Sequence, residues 1–539
     1  MRQFTKHIKG ITAASMLLFA GLMNGQITPS ASENYIYVQE PTEPVNSISS
    51  GTDAIRSIQY FDGLGRPKQS ISVQGSPNGS DLVVPIEYDG FGRQVLDFLP
   101  VPISGNNGQY NPNVNGNYYS GEYNTSVWYS EKTIENSPLN RILKHAAPGD
   151  SWAKDAGHEI EFQYLTNQND EVRMFKVNQN NGGLVNAGYY PKEQLYKTVT
   201  KDENGNRITE FKDKQGRVVL KRSAVEVNQT TGKPPSPEPF TEFVDTYYVY
   251  DIYGNLTYVI PPLAAVKSNI TSTVLNDLCY QYKYDERNRL VEKKLPGKGT
   301  EFMVYDKQDR LVATQDANLS SEGKWLFTKY DQFGRVVYTG IYGSSANRDA
   351  LQTTVNGFNS NNETRKSTVQ FTQNGLQVYY TKTAFPTTFS DVLTVNYYDK
   401  YVSLNVYGFG EPESGYYNSN QLRKDTNGKL KGMATETHIR ILGTNLWEKS
   451  VTFYDQKSRP VRTYKRNHLG GYTDIDSKLN FRGLPEETTT RHFRDPNAIK
   501  DVTVKDIYTY DSMERLLTHT QQINSGTPQL IAKNEYDAT

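Results

Sequence analysis

The sequence predicts an all-β protein in which repeated antiparallel β-hairpins form a curved, spirally wound sheet with few short helices. Three observations lead there. A pattern of an aromatic residue, Asp, two variable residues, Gly, Arg and then an aliphatic residue or Pro recurs about ten times, and such self-similarity marks a repeat architecture. Tyr occurs 39 times, and aromatic side chains favour pleated, half-buried surfaces. The single cysteine, Cys279, excludes a disulfide framework and any multi-cysteine zinc site, so the fold stands on packing.

The copies run in order as FDGLGRP (Asp62, Gly65, Arg66), YDGFGRQV (Tyr88, Asp89, Gly92, Arg93), KDKQGRVV (Asp213, Gly216, Arg217), YDIYGNL (Tyr250, Asp251, Gly254) and YDERNRL (Tyr284, Asp285, Arg289). They continue as YDKQDRL (Tyr305, Asp306, Arg310), YDQFGRVV (Tyr330, Asp331, Gly334, Arg335), YDQKSRP (Tyr454, Asp455, Arg459), a weaker LNFRGLP at 479–485 and YDSMERL (Tyr510, Asp511, Arg515). Each copy reads as a tight hairpin. Asp accepts a hydrogen bond from the backbone two residues on, and Gly three residues after it takes positive φ, which together close a three-residue loop with a type I turn and a G1 bulge. Asn288 and Asp309 tolerate that conformation, whereas Ser458 and Glu514 fit it poorly. The Tyr ends the incoming strand and the Arg begins the return strand, where their stems pack and their tips reach neighbouring copies. Motif aspartates lie 27 residues apart from Asp62 to Asp89, 34, 21 and 25 apart in turn from Asp251 through Asp285 and Asp306 to Asp331, and 56 apart from Asp455 to Asp511 with the weak copy between, which suits one hairpin per repeat in a growing sheet better than the longer, steadier period of a propeller.

Before the repeats, Arg2, Lys6 and Lys9 precede an apolar run from Ile11 to Met23 and then Asn24-Gly25-Gln26, the pattern of a secretory signal peptide over residues 1–25. The run is too short to cross a bilayer. Its removal leaves a net charge near −3, and the expected location is secreted or cell surface. The mature chain divides into residues 26–125, an N-terminal domain with the first two motifs, and 126–240, a β region ending in the Pro-rich GKPPSPEP link at Gly232–Pro239. A repeat block at 241–343, a polar linker and insertion at 344–390, and a second repeat block at 391–539 follow. Gly105–Ser126 reads as loop, and Thr271–Leu278 and Arg348–Val355 as short helices. The last residues, Tyr536-Asp537-Ala538-Thr539, open another copy, so the second block is expected to be truncated.

Catalytic and ligand signatures are sparse. The 59 basic and 59 acidic residues balance without a long run of either sign, which argues against nucleic acid as a partner. His145, His158, His438, His468, His492 and His519 share no metal-ligand spacing, no G-x-S-x-G elbow occurs, and the glycines of Gly408–Gly415 match no phosphate loop. Asp202–Asp213 has oxygens at some positions of a calcium loop, but Arg207 stands where Gly is required, and a hairpin is the better reading. Cys279 reads as a buried structural thiol. No enzyme activity, cofactor or metal is expected.

The repeated Tyr-Asp and Gly-Arg pairs, behind the opening stretch Ile58–Pro102, resemble the RHS/YD-repeat superfamily, in particular exported proteins of the Bacteroidetes type that carry an N-terminal domain of unknown function before the repeats. The stretches Cys279–Gly299 and Val392–Tyr401 are of the same kind. The resemblance implies a non-enzymatic exported scaffold, the N-terminal part of a β-shell that encapsulates or delivers a C-terminal effector, a toxin, absent from this sequence. An alternative is a cell-surface carbohydrate-binding or adhesion protein in which Trp128, Trp152, Trp325 and Trp447 stack on sugars. The expected partners are therefore a downstream effector domain or a surface glycan.

Overall fold

A computed structural model describes residues 27–43, 45, 54–225, 242–401, 416–417, 421–422, 430–494 and 502–537. The signal segment and the Pro-rich link lie outside them. The protein is all-β. Strands Asn34–Pro41, Ala54–Phe61, Pro67–Val73, Asp81–Pro85 and Val101–Ile103 form an N-terminal five-stranded sheet. At Leu96–Phe98 the chain changes sheets and starts a ribbon of 24 strands.

Within the ribbon each strand pairs antiparallel with the next strand of the ribbon along the chain, from Leu96–Phe98 against Tyr129–Ile134 through to Leu516–Ile523 against Gln529–Lys533. The strand order is that of a closed barrel. The late hairpins also meet the N-terminal sheet, where Arg482 pairs with Glu40 at 3.0 Å. The Tyr-Asp turns within the ribbon therefore lie on one rim, the turn rim, and the connections between repeats lie on the other, the return rim; the Asp62 turn belongs to the N-terminal sheet, and the Asp89 turn joins that sheet to the ribbon.

The core lies on a face that the registers carry from strand to strand. Phe211 pairs with Leu220, Leu220 with Tyr247, and Tyr247 with Ile260, all buried. Farther on, Ala313, Phe327 and Gly340 stand in line. A Cβ on Gly340 would lie 2.5 Å from the Phe327 ring, so glycine is what lets that ring lie flat across the strand. The opposite face is polar, with Thr339 on Thr394 at 2.8 Å and Ser477 on Thr488 at 3.2 Å.

A single sheet has to bury its apolar face against something, and here insertions supply the second layer. The hairpin Arg173–Val177 and Leu184–Tyr189, with helices Pro262–Ala265 and Ser272–Leu278, closes the core around Phe211 and Cys279. Thr271 caps the second helix by accepting from the Val274 amide. Residues 344–390, expected as polar linker and insertion, are no linker: Leu351, Val355, Leu376, Val378 and Phe385 are buried in them. Helix Arg348–Asn356, capped by Asn347, belongs to this cover, and its polar composition reflects its outer face. Gly105–Ser126, read as loop, contains the short helix Gly116–Tyr119, and Tyr119 seals the N-terminal core.

Candidate functional site

The recurring feature is a latch at each turn of the turn rim, and the Asp331 hairpin shows its parts. The Asp331 amide donates to the Arg335 carbonyl at 3.0 Å, and the Gly334 amide to the Asp331 carbonyl at 3.1 Å. One carboxylate oxygen accepts from the amides of Phe333 and Arg335, at 2.9 and 3.0 Å, and the other from Arg335 Nε at 2.7 Å. Asp is needed because its short side chain reaches both amides while keeping a second oxygen for the guanidinium.

The same contacts recur with Asp62 and Arg66, Asp89 and Arg93, Asp213 and Arg217, Asp285 and Arg289, Asp306 and Arg310, Asp455 and Arg459, and Asp511 and Arg515. At Asp251 the Arg is replaced by Asn255, which donates to the second oxygen at 3.0 Å. The fourth turn residue has positive φ throughout: Gly65, Gly92, Gly216, Gly254, Asn288, Asp309 and Gly334. Ser458 and Glu514, which the sequence suggested would fit badly, take it too, with φ of 70° and 61°. Five hydrogen bonds close each of these loops and override the local preference of one residue.

Each latch is also tied to the next repeat. The guanidinium of Arg66 lies 4.3 Å from the centre of the Tyr88 ring, Arg217 4.9 Å from Tyr250, Arg289 4.7 Å from Tyr305 and Arg310 4.7 Å from Tyr330. Each of these Tyr hydroxyls donates to the carbonyl just after that Arg, and Tyr284, Tyr454 and Tyr510 donate likewise to Leu256, Ala434 and Pro485, where Asn255, Met433 and Leu484 stand in the Arg position. The motif Tyr is therefore the clamp on the preceding turn.

That rule finds one copy the sequence pattern missed, at Glu135 and Arg141, and completes three that the sequence marked only in part, at Asp399, Asn480 and Tyr536. Arg141 lies over Tyr164, and its turn partner is Glu135. Tyr398 sits under Arg335, and its Asp399 accepts from the Gly432 amide across an insertion within the turn. Asn480 does the work of Asp for Gly483 and Leu484 in the weak copy. Tyr536 lies under Arg515 and donates to the Leu516 carbonyl. The signal was a Tyr one strand after each turn-closing residue, masked where the Asp was replaced or the loop extended. The turn at Asp202 has the same form, with Asn206 as the partner, but stands on the return rim. Its carboxylate is thus spent on a hairpin rather than a calcium ion, and among the described residues no group of three acidic, His or Cys side chains could hold a metal.

The electrostatics follow from the hydrogen bonds. The backbone amide of Arg66 holds the Asp62 carboxyl below its ordinary range, and that of Arg93 does the same for Asp89. Burial pulls Asp285 upward, and the hydrogen bonds from Arg289 outweigh it. Elsewhere the core contains a fully buried pair, Lys329 and Glu363, at 2.7 Å. Burial lowers the Lys329 amine to about 8 despite Glu363.

The tryptophans do not form a common platform. Trp325 and Trp447 are core residues, and Trp128 stacks on Tyr119 at 5.1 Å. Trp152 alone of the four is exposed, against His158. Burial keeps Trp325 and Trp447 from any sugar, because a wide sheet face needs large aromatic rings beneath its covering insertions. A cavity of about 950 Å³ lies between the N-terminal sheet and the last turns, lined in part by Arg56, Gln74, Phe481, Tyr508 and Met513. No helix among the described residues is long and apolar enough to cross a membrane.

No curated protein matches the chain. The crystal structure of TcdB2-TccC3-TEV is similar at 12% identity and a TM-score of 0.43, over 97% of this chain and 23% of that one. A structure of the Photorhabdus luminescens Tc holotoxin pore, with a mutation in TccC3, is similar at 12% identity and a TM-score of 0.41, over 90% and 21%. The chain thus spans less than a quarter of the length of either structure. Residues 34–166, the N-terminal sheet and the first strands of the ribbon, match the model of a domain of unknown function, DUF6443.

Proposed function

We propose that the chain is a wall: a non-catalytic, exported scaffold of the RHS/YD kind whose ribbon forms part of a shell around a polypeptide cargo, an effector supplied from downstream. One observation carries this reading. A single latch of Asp, Arg and the next Tyr is repeated along one rim of a continuous 24-strand meander whose late hairpins meet the N-terminal sheet. Its polar groups are spent on holding neighbouring hairpins together. That economy suits a barrier, whose job is extent and closure, better than a binding pocket.

The N-terminal charge and hydropathy pattern supports export through a cleaved signal, with the mature chain beginning near Gln26. The test uses the full chain with a protease-sensitive reporter domain expressed behind residue 539. N-terminal sequencing of material outside the cell reads export, and limited proteolysis reads enclosure. A reporter surviving a dose that destroys it when free supports the wall. Digestion at the free rate, or intact Met1 protein retained inside the cell, overturns it.

A further inference from the structure

Lys329 and Glu363 face each other where the cover meets the ribbon. Lys329 stands on the strand Lys324–Tyr330 and Glu363 in the covering insertion, whose backbone is pinned here by the Glu363 amide donating to the Tyr330 carbonyl at 2.8 Å. Neither side chain is exposed, and the amine nitrogen lies 2.7 Å from Glu363 Oε1. The two carboxylate oxygens are held differently. Oε1 accepts from the amine and from the Ala384 amide, at 2.7 and 3.0 Å, whereas Oε2 accepts from the Thr381 hydroxyl at 2.6 Å and the Thr383 amide at 3.0 Å. The rings of Tyr338 and Phe389 wall the amine, their centres 5.2 and 5.6 Å from its nitrogen.

Burial makes this ion pair reactive as well as structural. With water excluded, the charges lose their solvation, and an amide formed between them is shielded from hydrolysis. Burial already favours the neutral amine, lowering it to about 8, and a desolvated neutral amine is a nucleophile. Reacting groups held at contact by a fixed backbone gain an effective concentration of about 10⁵ M or more. The donors on Oε2 stand where negative charge gathers as the carboxyl carbon turns tetrahedral. Beside the pair, a void of about 10 Å³ is lined by Lys329, Ala384, Thr328, Asp306 and Ser360, which is about the space that one water molecule needs.

We propose that Lys329 and Glu363 condense into an isopeptide bond that fastens the covering insertion to the ribbon. The ammonium passes one proton to Oε1, and the neutral nitrogen attacks Cδ to form the Nζ–Cδ bond. A second proton moves from the nitrogen to Oε1, the Cδ–Oε1 bond breaks, and Oε1 leaves as water. The pair supplies every atom, so no oxidant, cofactor or other reactant enters. Oε2 becomes the amide oxygen and keeps its donors Thr381 and Thr383, while the remaining N–H donates to the Ala384 carbonyl, 2.9 Å from the nitrogen. The reaction happens once per chain and leaves a cover that cannot peel from the strand beneath it.

The experiment uses the full chain, purified in its folded state and held at about pH 8, near the value of the amine. Its intact mass is read after denaturation and compared with the mass of the linear sequence from its sequenced N-terminus. The wild-type chain is expected to be lighter by one water molecule. Trypsin is expected to release a branched peptide in which residues 325–335 are joined through Lys329 to residues 349–365 through Glu363, uncut after Lys329 because its amine has become an amide. Lys329→Arg keeps the cation, but its guanidinium stays protonated and is no nucleophile, so this variant is expected to show the full mass and no branched peptide. A wild-type chain of full mass overturns the proposal, as does a missing water without that branched peptide, or the same branched peptide in Lys329→Arg. The wild-type measurements decide the bond whether or not the variant folds, and none of them depends on whether the ribbon encloses cargo.

Discussion

The guanidinium of Arg310 lies 4.7 Å from the centre of the Tyr330 ring, while the Tyr330 hydroxyl donates to the carbonyl of Leu311 at 2.7 Å. The residue that opens one hairpin thus holds the turn of the hairpin before it. Stability is therefore expected to be shared between neighbours, as in other linear arrays.

The contributions of the clamp can be separated. Tyr330→Phe keeps the ring under Arg310 and loses the hydroxyl, at an expected cost of about 1 kcal/mol. Tyr330→Ala loses ring, packing and hydroxyl together and should cost about 3 kcal/mol or more. Urea unfolding midpoints of the two variants read the difference. Equal losses would mean that the stacked ring contributes nothing.

Two turns carry positive φ on residues that resist it. Ser458→Gly relieves that strain and is expected to stabilise the protein by about 1 kcal/mol. Glu514→Gly relieves the same strain but deletes a carboxylate that pairs with Arg482 at 2.9 Å, so its net effect should be near zero or unfavourable. A Ser458→Gly variant that melts below the wild type would contradict the turn geometry.

The buried pair of Lys329 and Glu363 also receives the amide of Ala384 on Glu363 at 3.0 Å, and its amine donates to the Ala384 carbonyl at 2.9 Å. Removing one charge strands the other. Glu363→Gln is expected to cost about 3 to 5 kcal/mol. Adding Lys329→Met should recover part of that loss, because the uncompensated cation goes with it. Thermal unfolding of both variants tests this, and a double variant less stable than Glu363→Gln alone would refute it.

His438 is completely buried. Burial, and secondarily the Lys449 cation, lowers it to about 3. A folded-state value below the unfolded value of about 6.5 means that the unfolded chain binds the proton more readily. The stabilising contribution is therefore complete above pH 6.5 and is lost as pH falls toward 3. By pH 5 the loss is about 2 kcal/mol. His438→Gln should flatten the pH dependence of the denaturation midpoint between pH 7 and 5; an unchanged slope would place the acid sensitivity elsewhere.

What the amino-acid sequence determined by itself is what depends on near neighbours. Asp285 and Asn288 lie within one loop, so turn type, positive φ and hairpin direction are all written within a few residues. The short helices after Thr271 and Asn347 were legible for the same reason, since caps act over three residues. What the sequence could not show is contact made at long range. The polarity of 344–390 marked an insertion but concealed that its Glu363 meets Lys329 in the core, because polar residues on an outer face outnumber the few that point inward. The extended turn at Asp399 defeated a fixed-spacing pattern, although space still places Gly432 within 2.7 Å of the carboxylate. The contact that joins Glu40 to Arg482 depends on the twist and coil summed over the whole ribbon, a property of accumulated geometry that no single repeat encodes.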